Sequence, residues 1–91
     1  MCAFIYTMKT TYRDEYRIMC GLLREYREKA GLTQDELADL LTDSLGWHKS
    51  QIGKVERVER RIDVFEVRAI CIALGVSIFD FWTELEIRID A

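Results

Sequence analysis

Apolar residues recur along this chain at intervals of three and four, the spacing that gathers side chains on one face of an α-helix. Tyr16, Met19, Leu23 and Tyr26 form one such set, and Leu37, Leu40, Leu41 and Leu45 a second. Val67, Ile70, Cys71 and Leu74 form another, followed by Ile78, Phe81, Trp82 and Leu85. Between them, Gly46 to Glu56 holds a shorter set, Trp47, Ile52 and Val55, while Lys49, Ser50, Gln51, Gly53 and Lys54 fall on the opposite face. The pattern predicts five helices and an all-α fold.

Helix boundaries follow from local chemistry. Thr10 or Thr11 can cap a first helix that runs to about Lys29, with Gly31 as its stop. Thr33 with Glu36, Asp63 with Glu66, and Ser77 with Asp80 each place a capping side chain three residues before an acid that can bond back to the helix start. Each is bracketed by an apolar staple: Leu32 with Leu37, Ile62 with Val67, Val76 with Phe81. Trp47 and Ile52 flank His48 in the same way, with histidine the weaker cap. Helices are therefore expected from about 34 to 45 and 64 to 74, with others starting near 49 and 78; Gly46 and Gly75 close the second and fourth.

The two ends read differently. Leu85 to Asp90 alternates apolar and polar, and Phe4, Tyr6 and Met8 also recur every second residue. These segments are either a fraying helix end and a loose tail, or short β segments that pair within or between subunits. The expected organisation is residues 1–10 as an N-terminal, dimer-associated tail, 11–85 as the domain, and 86–91 as a C-terminal tail or short strand.

Composition narrows the class. The 91 residues suit one domain with a core of its own, and 49% hydrophobic residues, 32% charged and no proline fit a mostly helical soluble protein. Cys2, Cys20 and Cys71 are odd in number and form no C-x-x-C pair, and His48 is the one histidine, so neither a disulfide framework nor a metal site is indicated. The cysteines read as buried thiols in a reducing cytoplasm. Met1 to Met8 lacks the basic start of a signal peptide, and no run reaches membrane-spanning length. The chain shows no nucleophile with a base, no metal cluster and no glycine-rich phosphate loop, so an enzyme, a cofactor or a small-molecule ligand is not expected.

A net charge of -3 argues against a nucleic-acid partner as a single number. Its distribution reverses that. Residues 48–61 hold five cations against Glu56 and Glu59, a balance of +3, whereas residues 62–91 hold six acids against Arg68 and Arg88, a balance of -4. One end of the molecule suits phosphate and the other does not.

Three segments in order carry a family resemblance: Gly31-Leu32-Thr33-Gln34-Asp35-Glu36-Leu37-Ala38, then Ser50-Gln51-Ile52-Gly53-Lys54-Val55-Glu56-Arg57, then Glu59-Arg60-Arg61-Ile62-Asp63. With Ala73-Leu74-Gly75-Val76-Ser77, the chain from about 16 to 83 resembles the Cro and phage-repressor type of helix-turn-helix protein, the XRE family, and implies a five-helix lambda-repressor-like fold. The resemblance implies that the third helix enters the DNA major groove while the second braces the backbone. It places Lys49, Ser50, Gln51 and Lys54 on the base-reading face, and Gln34, Arg57, Arg60 and Arg61 along the backbone. It also makes Arg27 and Glu56 a buried ion pair joining the first helix to the end of the third. Three departures stand out: about four extra residues between Leu41 and Gly46, read as one more helical turn; Val58 where glycine is usual, which would alter the loop; and Ile62 in place of proline.

Each candidate has an ordinary alternative. Lys49 and Lys54 could be solvated surface lysines, Gln51 a surface filler and His48 a cap. Gly53, at about 1 kcal/mol relative to alanine inside a helix, implies close approach to DNA or to another helix unless it is tolerated drift. The implied function is a cytoplasmic, sequence-specific regulator, a homodimeric repressor on a palindromic operator, with double-stranded DNA as partner. Phe79, Trp82, Leu85, Ile87 and Ile89 supply the expected dimer surface. The alternative is a protein-interaction module, antitoxin-like or anti-regulator, that binds a protein partner through its C-terminal part.

Overall fold

The structure, a computed structural model, describes residues 11–91. The expectations for Cys2, Phe4, Tyr6 and Met8 lie outside the described residues. Five helices follow in order: α1 Tyr12–Lys29, α2 Gln34–Leu45, α3 Lys49–Glu56, α4 Val64–Leu74 and α5 Ile78–Asp90. Each starts where the capping pattern puts it. Thr11 accepts from the Asp14 N–H at 3.1 Å, Thr33 from Glu36 at 3.1 Å and Asp63 from Glu66 at 2.8 Å. In all three the acid three residues on accepts the N–H of the cap in return.

Two starts depart from that scheme. Ser77 Oγ takes the Phe79 N–H at 3.1 Å, and the expected return bond from Asp80 does not form. His48 gives α3 no side-chain bond; Gln51 Oε1 accepts the His48 N–H at 2.6 Å and supplies half of a cap by itself.

The extra residues after Leu41 extend α2 by one turn, which Gly46 ends in the left-handed region at φ 66°. Leu41 is fully buried and the turn continues its helix, so the insertion lengthens the element rather than the loop.

Packing sorts the apolar positions. α2 lies against α3 and α4, α1 against α3 and α5, and α4 against α5. Cys20, Leu41, Cys71 and Phe81 sit at the centre, with Leu23, Leu37, Trp47, Ile52, Val55, Val67 and Ile70 around them. Burial pushes both central thiols up, Cys71 to about 11.

The alternation at the C-terminus does not become a strand. Residues 86–90 continue α5, because Phe81, Leu85 and Ile89 recur at intervals of four and meet α1 on one helical face. Leu85, expected at a dimer surface, is 2% exposed and belongs to the monomer's own interior, while Ile89, expected there too, is half-buried against the core. Phe79, Trp82 and Ile87 are on the outside, 81%, 51% and 58% exposed. Arg88 fastens this last helix: it donates to Glu25 of α1 at 2.7 and 3.1 Å and to Glu84 at 2.8 Å.

Candidate nucleic-acid interface

α3 is only eight residues long and cannot hold itself helical in water, so its shape depends on what it packs against. Ile52 and Val55 are buried, and Trp47 is buried just before the helix. That anchoring leaves Lys49, Ser50 and Lys54 exposed, with Gln51 half-buried. Three residues expected to read bases thus share the outward side. Lys49 pairs with Asp35 of α2 at 3.9 Å with both side chains mostly exposed. Gln51 points back at the helix start through its carbonyl oxygen, which accepts the His48 N–H.

The orientation of α3 is fixed at its far end by Glu56. Its carboxylate accepts from Arg27 Nε at 2.6 Å and Nη2 at 3.0 Å, and from Gln34 Nε2 at 2.9 Å. Arg27 also donates Nη1 to the Leu32 carbonyl at 2.7 Å. The two side chains are 10% and 6% exposed. One buried cluster therefore joins α1, the turn before α2, the first residue of α2 and the last of α3. The bond from Glu56 holds the Arg27 guanidinium above its usual pKa, against the opposing effect of burial. Gln34, expected on a phosphate, spends one amide hydrogen on this cluster.

Beyond α3, the chain turns in a way its sequence disfavours. Val58 adopts φ 63°, a conformation costing a residue with a Cβ about 1–2 kcal/mol. The Val58 N–H bonds to the Val55 carbonyl at 3.0 Å and that of Glu59 to Lys54 at 2.7 Å, the paired bonds that close a helix on a left-handed residue. The loop thus keeps the shape glycine would give it, contrary to the expectation that Val58 would alter it. Tyr16 braces it from α1: its hydroxyl donates to the Arg60 carbonyl at 2.6 Å and accepts the Ile62 N–H at 3.0 Å. The sequence placed Tyr16 in the apolar set of the first helix, and no local spacing revealed these contacts 44 and 46 residues away.

The three arginines of this loop separate. Arg60 lies over the Trp47 ring at 4.7 Å and pairs with Glu66 at 3.5 Å, so the structure engages it inward rather than leaving it free along a backbone. Arg61 lies over the Tyr12 and Tyr16 rings at 4.9 and 5.4 Å and also donates to the Tyr12 hydroxyl. Arg57 is more exposed and is held by Glu59 at 3.1 and 3.2 Å; this bond keeps the Glu59 carboxyl below its ordinary pKa. Gly53 proves to be a close approach within the protein: a Cβ there would lie 2.9 Å from Arg57 Nη1.

Among the described residues no helix is long and apolar enough to cross a membrane. The sequence matches the helix-turn-helix family over residues 23–81, from within α1 to the first turn of α5. No curated protein sequence matches this chain. Its fold is similar to that of the restriction-modification controller protein C.Esp1396I, solved as a tetramer in complex with its natural 35 base-pair operator. The two share 21% sequence identity over 90% of this chain and 100% of that one, with a TM-score of 0.75.

Proposed function

Starting from the helix-turn-helix family, of the XRE type, to which this DNA-binding transcription regulator belongs, we propose that it works as a homodimeric repressor reading a palindromic operator with α3 in the major groove. The observation that carries this reading is the construction of α3. A helix too short to stand alone is anchored through Trp47, Ile52 and Val55, while Lys49, Ser50 and Lys54 stay exposed on its other side. Ammonium and hydroxyl groups match the acceptor-rich edges of guanine and adenine, and α3 itself carries no acid before Glu56, whose carboxylate is turned inward. Arg57 and Arg61 supply the backbone contacts, and the N-terminus of α2 at Gln34 adds a positive helix end.

One such module touches too little DNA to be both tight and specific, which favours two copies on half-sites about 34 Å apart. Phe79, Trp82 and Ile87, exposed on α5, are the surface for that pairing. The similar fold of a controller protein solved as a tetramer on its operator fits an oligomeric mode of binding. A DNA partner would place the protein in the cytoplasm. A second reading, binding to another protein, draws support from a different feature: Leu40, Phe65 and Ile72 are exposed beside one another along a groove between α2 and α4.

Footprinting of the DNA upstream of the protein's own gene, followed by titration of the protected and a scrambled duplex at several salt concentrations, tests the proposal. Alanine at Lys49 or Lys54 should lose about 1–3 kcal/mol on the protected duplex and much less on the scrambled one. Equal losses on both would remove α3 as the reading helix, and no salt-dependent binding at all would favour the protein-partner reading.

A further inference from the structure

The seam between α3 and α2 contains a cation packed over a glycine. Arg57 follows α3 directly, and its guanidinium folds back over Gly53, where an added Cβ would lie 2.9 Å from Nη1 and 3.7 Å from Gln34 Oε1. Arg57 is thereby seated near the first residue of α2 and lies three residues after Lys54, among the groups assigned above to DNA. Its charge is not free. Glu59 Oε2 and Oε1 accept from Arg57 Nε at 3.1 Å and Nη2 at 3.2 Å, the two-pronged arrangement in which a guanidinium also holds phosphate.

Glu59 reaches that place through a strained turn. Val58 at φ 63° reverses the chain, and the Glu59 N–H is locked to the Lys54 carbonyl at 2.7 Å. The pair itself is weak, since the two side chains are 59% and 54% exposed and water screens them. The result is a carboxylate held in an arginine fork and exposed to solvent.

We propose that Glu59 is a built-in occupant of a backbone-phosphate seat centred on Arg57, and that a phosphodiester of the DNA displaces it when the protein docks. This rests on the DNA-binding reading above. Glu59 then lowers affinity for every duplex by the same factor, because the exchange involves no base. It thins out non-specific binding and leaves a larger share of the total affinity to α3. Gly53 gives the seat its room, since a Cβ there would lie 2.9 Å from Nη1 and the guanidinium would have to shift.

The test compares Glu59→Gln, Arg57→Ala and the double variant, each as the full chain, on footprinted and scrambled duplexes over a range of salt. Glu59→Gln should bind both duplexes about three- to tenfold more tightly, with a salt slope steeper by roughly one unit, because Arg57 then meets phosphate without first releasing a carboxylate. In the Arg57→Ala background the same substitution should lose most of that gain. The positions are exposed, so thermal melts of all three should confirm folding. An unchanged affinity in Glu59→Gln overturns the proposal, and so does a gain of equal size with Arg57 absent, which would assign Glu59 to general repulsion of DNA. If the wild-type chain binds no duplex in a salt-dependent way, the DNA-binding reading and this proposal fall together.

Discussion

Replacing Glu56 by alanine removes the acceptor on which the position of α3 depends. The carboxylate takes two bonds from Arg27 and one from Gln34, and after its loss Arg27 keeps, of the hydrogen bonds described above, the one to the Leu32 carbonyl. The guanidinium side chain is 10% exposed and remains charged, since nothing in the cluster lowers its pKa enough to shed the proton. Leaving such a charge without its counter-ion costs about 3–5 kcal/mol. A domain of this size has a total stability of roughly 5–15 kcal/mol. At about 4–8 °C per kcal/mol, the melting midpoint should fall by roughly 12–40 °C. Urea unfolding followed by circular dichroism gives the free energy directly. A companion variant, Arg27→Met with Glu56→Leu, separates the charge from the packing: it removes both partners, and its loss should be far smaller than that of Glu56→Ala alone. The pKa of Arg27 is raised, so the stability gained from it is present below the arginine's unfolded pKa and is lost only as pH rises through the raised value. The defect of Glu56→Ala should accordingly keep its size from pH 6 to 9. A loss under about 1 kcal/mol in Glu56→Ala would show that water reaches the guanidinium and that the cluster does not hold α3.

Tyr16→Phe deletes the hydroxyl that serves the Arg60 carbonyl and the Ile62 N–H and should cost about 1–3 kcal/mol in urea unfolding; a change below about 0.5 kcal/mol would show the loop to be held by other contacts. Val58→Gly should leave stability within about 1 kcal/mol of wild type, because relief of roughly 1–2 kcal/mol of left-handed strain offsets the packing of a half-buried side chain. A drop beyond about 2 kcal/mol would show that residue 58 is not strained. Arg88→Met should destabilise the protein at neutral pH, and the gap from wild type should close on acidification. Arg88 holds the Glu25 carboxyl below its usual 4.5, so that contribution is present above 4.5 and fades as pH falls through the lowered value. A gap that stays constant from pH 6 to 3 would contradict this.

Much of the helical order was legible in the chain, and the reason is distance. The caps at Thr11, Thr33 and Asp63 are bonds between residues three apart, whose geometry the backbone sets before any tertiary contact exists. The pairing of Arg27 with Glu56 was legible in another way, through a family resemblance rather than through spacing. The alternation from Leu85 to Asp90 was misleading, because a period of two and a period of four coincide at Leu85 and Ile89, and only packing against α1 selects between them. Side-chain destinations escaped the sequence for the same physical reason. Arg60, Arg61 and Arg57 are near neighbours in one basic run, yet one lies on Trp47, one on two tyrosines and one over Gly53. Glu25 and Arg88 meet across 63 residues. Capping chemistry and apolar period, acting over three or four residues, determined where the helices begin and which face of each is apolar. The assembled helices decided which of the outward groups remain free for DNA, because a long charged side chain takes whichever ring, carboxylate or gap tertiary packing brings within its reach.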